Sequence, residues 1–571
     1  MKRPDTRWSP VATPDEGAVL ALAGSLSLPL PLARLLVVRG HAAPDDARRF
    51  LRPALDHLSD PALLKDLPEA AERLATAIRG GEPVLVHGDY DVDGICSTAL
   101  MVRTIRALGG VAVPFIPDRR TDGYDLGPAG VAAALAASAR VVLTCDCGTT
   151  AIDSAAVLRD AGIDLIITDH HLPGSRLPSA FAFVNPRRAD DTSPDKDLAA
   201  VGVAFKLALH LTRVMRGNEN VVFNLLDLVA LATVADVAPL RGENRVFVRR
   251  GLALLAASPS AGVRALVRGA GLEGKDITAG RVGFILAPRL NALGRLDRAI
   301  RGVELLLADR EEDALGIARF CEELNRERQE LDRAILDDAV RRTEAPDVTD
   351  RWGIVLADAA WHPGVIGIAA SRLVERTGRP VFLISLQDGI GKGSGRSIPA
   401  FDLHSALEEC SDVLLKHGGH RAAAGVTVRE SRVPEFADRF DAVARARLTP
   451  DDLVRELRVD LELPLGEATD DLERLLRHLE PFGMGNPGPQ FTARGVEIVG
   501  GVRSIGTDGL KLVVDAPQGR LEAVGWGMAA RADELRPGAR VDLVFKLERN
   551  EYRGRASLQL GLADFRAASV C

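Results

Sequence analysis

The chain has 571 residues, 46% hydrophobic and 26% charged, with a formal net charge of −7. That length leaves room for about three or four domains of roughly 150 residues, and the composition is globular rather than disordered or fibrous. No apolar run approaches the ~20 residues needed to cross a bilayer. The acidic balance argues against a surface coated in cations for duplex DNA, yet it leaves room for a local basic groove.

The opening "MKRPDTRWSPVATPDEG" is polar, interrupted by Pro and lacks the apolar core of a secretory signal, so a cytoplasmic protein is expected. Six cysteines fit reduced thiols without structural zinc, because only Cys145 and Cys147 lie close together and they are two apart.

In chain order, residues 1–50 are expected to form a mostly helical cap, with "PDDARRFL" as a helix start. An α/β unit follows over 51–310. In it "PVLVHG", "VAVPFIP", "ARVVLTCD" and "IDLIITD" read as short β-branched strands separated by helices, the pattern of a doubly wound parallel sheet. Its later part, from about 198, is helical. The charged stretch at 311–345 predicts a long exposed helix joining two domains. A second α/β unit is expected over 346–452, with strands "WGIVLAD" and "PVFLISL" around the helix "GVIGIAASRLVERTG". Short strands and Gly-rich turns over 453–571 predict a small β-barrel.

The chemistry concentrates at strand ends. "HGDYDVDG" places Asp89, Asp91 and Asp93 at alternate positions after an apolar strand, where side chains project to one side. "TCDCGTT" ends a strand at Asp146, "TDHHLPG" ends another at Asp169, His170 and His171, and "VADVAPL" adds Asp236. A single strand-end Asp is usually a helix cap, and a lone His pair is usually a surface feature. Together these acids would raise one another's pKa values, and divalent cations remove that cost. Hard oxygen ligands with some imidazole suit Mn²⁺ or Mg²⁺. The carboxyl edge of a doubly wound sheet is also where such folds bind ligands.

These four stretches resemble, in order, the signature motifs of the DHH phosphoesterase superfamily. "HGGHRAAAG" resembles its DHHA1 companion domain. With "APRLNALGR", the long helix and an OB-like barrel, nearly the whole chain is similar to the RecJ family of single-strand-specific 5′→3′ exonucleases. The resemblance implies two Mn²⁺ or Mg²⁺ ions held by His87, Asp91, Asp93, Asp146, His170 and Asp236, with Asp146 bridging. It leaves open whether Asp89 ligates directly or through water. It implies that His171, in the Asp169–His170–His171 motif, contacts the scissile phosphate or the leaving oxygen.

Substrate contacts are expected from Arg396, His420 and Arg421 among glycines of the second domain. Ser371 and Arg372 are candidates for a terminal 5′-phosphate, and Arg289, Asn291 and Arg295 for the entry path. In the barrel the candidates are Trp526, Tyr552, Phe491, Arg503, Lys511, Lys546, Arg549, Arg553 and Arg555. The implied function is two-metal hydrolysis of single-stranded DNA to mononucleotides in recombination and repair, by a monomer with no membrane association. A helicase and a single-strand-binding protein are the implied partners. Rival readings are a superfamily phosphodiesterase acting on short oligonucleotides or cyclic dinucleotides, and a non-catalytic strand-binding scaffold. The first is disfavoured because such enzymes are shorter, the second because no ligand position is missing.

Overall fold

A computed structural model describes residues 6–9, 11–119, 121–552 and 555–568. The runs "VLVHG", "VVLTC" and "DLIIT" are apolar on both faces and form strands Val84–Gly88, Val141–Cys145 and Asp164–Thr168, in which every residue but Asp164 is buried. Continuous apolar runs of this kind are what a parallel sheet covered on both sides requires. With Ala112–Phe115 and Ala182–Val184 they make a five-stranded parallel sheet in the order 112–115, 84–88, 141–145, 164–168, 182–184. Both neighbours of the Val84–Gly88 strand come later in the chain. The winding therefore reverses there, and a crevice opens at the strands' carboxyl ends.

Helix Val92–Ala107 starts in that crevice and is buried on nearly every side. Its approach to the preceding loop depends on Gly94, where a Cβ would fall 2.4 Å from the Asp89 backbone. Helix Ala287–Leu296 carries "APRLNALGR" and closes on the same loop, and Gly294 has room only for hydrogen beside the Tyr90 carbonyl, 2.3 Å from an added Cβ.

Helix Glu311–Thr343 has 33 residues and is about 50 Å long at 1.5 Å per residue. Ala314, Ala318 and Cys321 join the core of the first domain, whereas Ile335, Leu336 and Ala339 join a core of the second. The helix thus sets the spacing between them. The second domain is a mixed sheet ordered 416–419, 423–429, 390–396, 381–387, 354–358, with only the last two strands parallel.

Five strands near the C-terminus close into a barrel: Phe491–Ile505, Gly509–Val514, Leu521–Gly525, Arg540–Tyr552 and Arg555–Ala567. The first pairs with both the second and the fourth, and the third runs parallel to the fifth. The N-terminal helices pack with this unit: Leu22, Leu32, Leu35, Leu36 and Phe50 share one core with Phe491, Leu543 and Phe545. Thr6–Trp8 pairs with Arg455–Leu457. Phe491, expected as a stacking surface, is 1% exposed and fills that core instead. Trp526 is 63% exposed. Lys511 is paired with Glu522 at 2.6 Å. Arg553 and the side chains of Tyr552 and Arg555 lie outside the described residues. Five cysteines, Cys96, Cys145, Cys147, Cys321 and Cys410, are buried free thiols. Among the described residues no helix is long and apolar enough to cross a membrane.

Candidate metal centre and phosphate cleft

Three neighbouring strands end in the crevice, and each delivers an acid. Asp91 caps helix Val92–Ala107, its Oδ1 accepting from the Asp93 and Gly94 N–H groups at 2.9 and 3.2 Å. Asp146 follows its strand in a left-handed conformation, φ 66°, which turns the side chain back over the sheet edge. Asp236 ends helix Leu226–Ala235. Ligand atoms of Asp89, Asp91 and Asp146 lie within 4.8 Å of one another, as do those of Asp93, His170 and Asp236, and those of Asp146, His170 and His171. Asp146 belongs to two of these groups and stands between them.

Burial and mutual repulsion make the cluster costly when it is empty of cations. Burial, then the charge of Asp91, pushes the Asp93 carboxyl up to about 7. Burial, then Asp93 and Asp91, pushes Asp236 up to about 9. Asp89 and Asp146 rise well above the usual carboxylate range, again through burial first. Burial lowers His170 to about 4, with the neighbouring His171 adding to it, so its imidazole is neutral and able to ligate. Oδ1 of Asp89 and Oδ1 of Asp146 are buried without a hydrogen-bond donor. Oxygens left in that state have lost their water and found nothing in its place. The donor set fits one or more hard divalent cations.

Two expected ligands behave differently. His87 is buried on its strand with its ring against Phe115, its Nδ1 3.5 Å from Cys147 Sγ and its Nε2 edge toward Gly130. His87 belongs to none of the three groups, although its Nε2, like Oδ1 of Asp89 and of Asp146, is buried without a hydrogen-bond partner. Asp93 is in the cluster, yet both its oxygens also accept N–H groups at the start of helix Ala200–Val214, from Ala200 and Val201 at 2.9 Å each. It therefore anchors that helix as well.

Asp169 orients rather than joins the groups. Its Oδ1 accepts from His171 Nδ1 at 2.7 Å and its Oδ2 from the Thr149 N–H at 3.0 Å. Burial works against the Asp169 charge, but His171 and Thr149 outweigh it and hold the carboxyl at about 2. The same pair acts on His171: burial opposes its charge, and Asp169 overrides it, raising the imidazole to about 9. Asn185 donates to the His171 carbonyl at 2.8 Å, and the Tyr124 hydroxyl lies 3.3 Å from His171 Nε2. Sequence reasoning missed Asn185 and Tyr124. Both stand in segments that reach the same sheet edge, which was the available signal.

Cations face the acids across the cleft. Arg295 is surrounded by Arg119, Arg396 and Arg328; burial, then these three, lowers it to about 10 even with Asp91 nearby. Burial, then Arg119, lowers Arg396. Arg119 lies over the Tyr90 ring at 5.0 Å, beside the first acidic loop. Like charges gathered at low dielectric point to an anionic occupant. Arg119 was missed although it sits in a loop that leaves the Ala112–Phe115 strand at this edge.

Several expected contacts are engaged elsewhere. Arg372 pairs with Asp332 of the long helix at 2.8 Å, and Ser371 donates to Gly367 O within its own helix. Arg289 is tied to Glu322 at 2.6 Å, and Asn291 is partly buried further along the same helix. His420 and Arg421 are exposed, Arg421 donating to Pro399 O at 2.8 Å.

Comparison with known proteins agrees with this arrangement. Three family profiles match: DHH family, N-terminal domain, over 83–233; DHHA1 domain over 352–446; and RecJ OB domain over 459–564. The single-stranded-DNA-specific exonuclease RecJ of Bacillus subtilis (strain 168) is 36% identical over 562 residues, covering 98% of this chain and 70% of that protein. That of Escherichia coli (strain K12) is 36% identical over 554 residues, 93% of this chain and 95% of that protein. The structure of RecJ in complex with Mn²⁺ from Thermus thermophilus superposes with a TM-score of 0.85 at 33% identity, over 99% of this chain and 80% of that one. The corresponding Mg²⁺ complex gives 0.80. With this identity over nearly its full length, three domain matches in order and a metal cluster at the shared sheet edge, the chain belongs to the RecJ family.

Proposed function

We propose that the chain is a metal-dependent exonuclease specific for single-stranded DNA, releasing mononucleotides from the 5′ end. The carrying observation is the buried acid–histidine cluster, with unpartnered carboxylate oxygens, facing Arg119, Arg295 and Arg396 across one cleft. Asp91, Asp93, Asp146, His170 and Asp236, with Asp89 beside them, would hold Mn²⁺ or Mg²⁺. Bound cations supply Lewis acidity at the phosphodiester and neutralise the carboxylates.

The chain's own groups supply the rest. The arginine cluster receives the phosphate backbone and orients it, since planar guanidinium forks match phosphate oxygens in pairs. His171, oriented through Nδ1 by Asp169, presents Nε2 toward an anionic oxygen of the substrate. Two domains spaced by one rigid helix make a slot for a strand rather than a duplex, and the barrel is a fold that commonly binds single strands. A cytoplasmic monomer working in recombination and repair with a helicase and a single-strand-binding protein fits this reading.

Digestion of 5′- and 3′-labelled single strands with Mn²⁺ tests it. Mononucleotide release from the 5′ end is expected. Cleavage confined to short oligomers, or from the 3′ end, would refute it.

A further inference from the structure

Beside the acids lies a surface that metal chemistry does not explain. Phe284 is 87% exposed, Val237 56% and Met484 54%. All three sit on segments held at the end of helix Leu226–Ala235, the helix that presents Asp236. Val237 follows Asp236 directly. Gly283 lies against Val234, with a Cβ there 3.6 Å from Val234 Cγ1, which brings Phe284 to the same edge. The Leu240 N–H donates to Met484 O at 2.7 Å, and this places the Gly483–Asn486 turn of the barrel unit alongside.

Phe284 stands in a π-helical turn, Val282–Leu286, that runs straight into helix Ala287–Leu296. Such turns shift side chains off the regular helix face and concentrate at functional sites. At the far end of that helix, about 16 Å away at 1.5 Å per residue, Arg295 joins the arginine cluster. The π-turn and the helix that follows it thus carry a bare aromatic ring at one end and Arg295 at the other, where Gly294 closes on the first acidic loop.

We propose that Phe284, with Val237 and Met484, forms an apolar lip over which the DNA strand leaves the metal centre toward the barrel, Phe284 stacking on an unpaired base. This rests on the exonuclease reading above. The occupant is a single strand because Val237 directly follows Asp236 of the metal cluster and the lip is built jointly by the catalytic domain and the barrel unit. Bases, unlike phosphates, need an apolar partner, and stacking tolerates any sequence because every base has a π-face. A base inside a duplex keeps its faces covered, so the same ring favours single strands.

The test uses 5′-phosphorylated oligonucleotides with 2-aminopurine at successive positions, bound to the full chain in EDTA, for wild type, Phe284→Ala and Phe284→Trp. The lip predicts quenching at one position, retained in Phe284→Trp and lost in Phe284→Ala. It also predicts a KM for long strands about tenfold higher in Phe284→Ala and near normal in Phe284→Trp, the scale of one lost base stack. An exposed ring contributes little to the fold, so thermal unfolding of both variants should match wild type. Equal quenching in all three proteins would overturn the lip, and a Phe284→Ala defect confined to capture of another protein would do the same. Mn²⁺-dependent hydrolysis by wild type reports separately on the exonuclease reading. Hydrolysis without Phe284-dependent quenching removes the lip alone, whereas quenching without hydrolysis keeps the lip and removes that reading.

Discussion

Arg295 donates through its guanidinium to the Gly364 carbonyl at 2.9 Å. A residue of the catalytic domain is thereby fastened to the second domain, so one side chain joins the domains and contributes charge to the arginine cluster. Replacing it with Ala should lower kcat/KM on single strands by at least about tenfold, the scale of one charged hydrogen bond. Arg295→Lys keeps the charge without the planar fork and should recover only part of the loss. Steady-state digestion of a labelled strand measures both, and a full recovery by Lys would contradict a role for the fork.

Asp146→Asn should abolish turnover, because Asp146 is shared by two ligand groups. The same change relieves repulsion in the metal-free cluster, and Asn tolerates the left-handed backbone found there. Thermal unfolding in EDTA should therefore be no lower than wild type. Near-normal activity with added Mn²⁺ would sink the assignment.

Metal removal should cost more stability at high pH. In the folded, metal-free chain Asp93 sits at about 7 and Asp236 at about 9, against about 3.9 when unfolded. Below about pH 4 both states hold the protons and no penalty arises. As pH rises toward 7 and then 9 the unfolded state has already released protons that the folded state retains, so stability falls. Cations bind the deprotonated set and cancel that loss. The Mg²⁺-induced rise in Tm should be small near about pH 5 and larger near about pH 8.5. A shift that shrinks with pH would contradict this.

Arg39 joins the N-terminal helices to the barrel unit through Asp460 and Asn486, at 3.1 Å each, and the Arg39–Asp460 pair is almost fully buried. Arg39→Ala leaves Asp460 with Arg458, which is largely exposed, as its remaining cation. A loss of about 3 kcal/mol is expected, the lower end for breaking a buried pair, read by denaturant unfolding. Activity per folded molecule should be unchanged, since the pair lies outside the cleft residues.

Short apolar runs alternating with helices can only pack as a parallel sheet covered on both faces, and such a sheet brings its strand ends to one edge. The positions of Asp89, Asp91, Asp93, Asp146 and His170 after successive strands were therefore enough to bring them to one edge, whereas Asp236, at the end of helix Leu226–Ala235, reaches them only through the packing of that helix. Tertiary structure decided what pattern cannot encode. His87 alternates correctly along its strand, yet its ring is turned toward Phe115 and Cys147. Arginines have long side chains whose partners come from distant segments: Arg372 pairs with Asp332, Arg289 with Glu322 and Arg295 with the Gly364 carbonyl, while Arg119 and Arg295 also add charge near the acidic loop. The N-terminal helices likewise found their core in a barrel at the opposite end of the chain. Backbone periodicity settles where a group starts from, and only the packed chain settles what it meets.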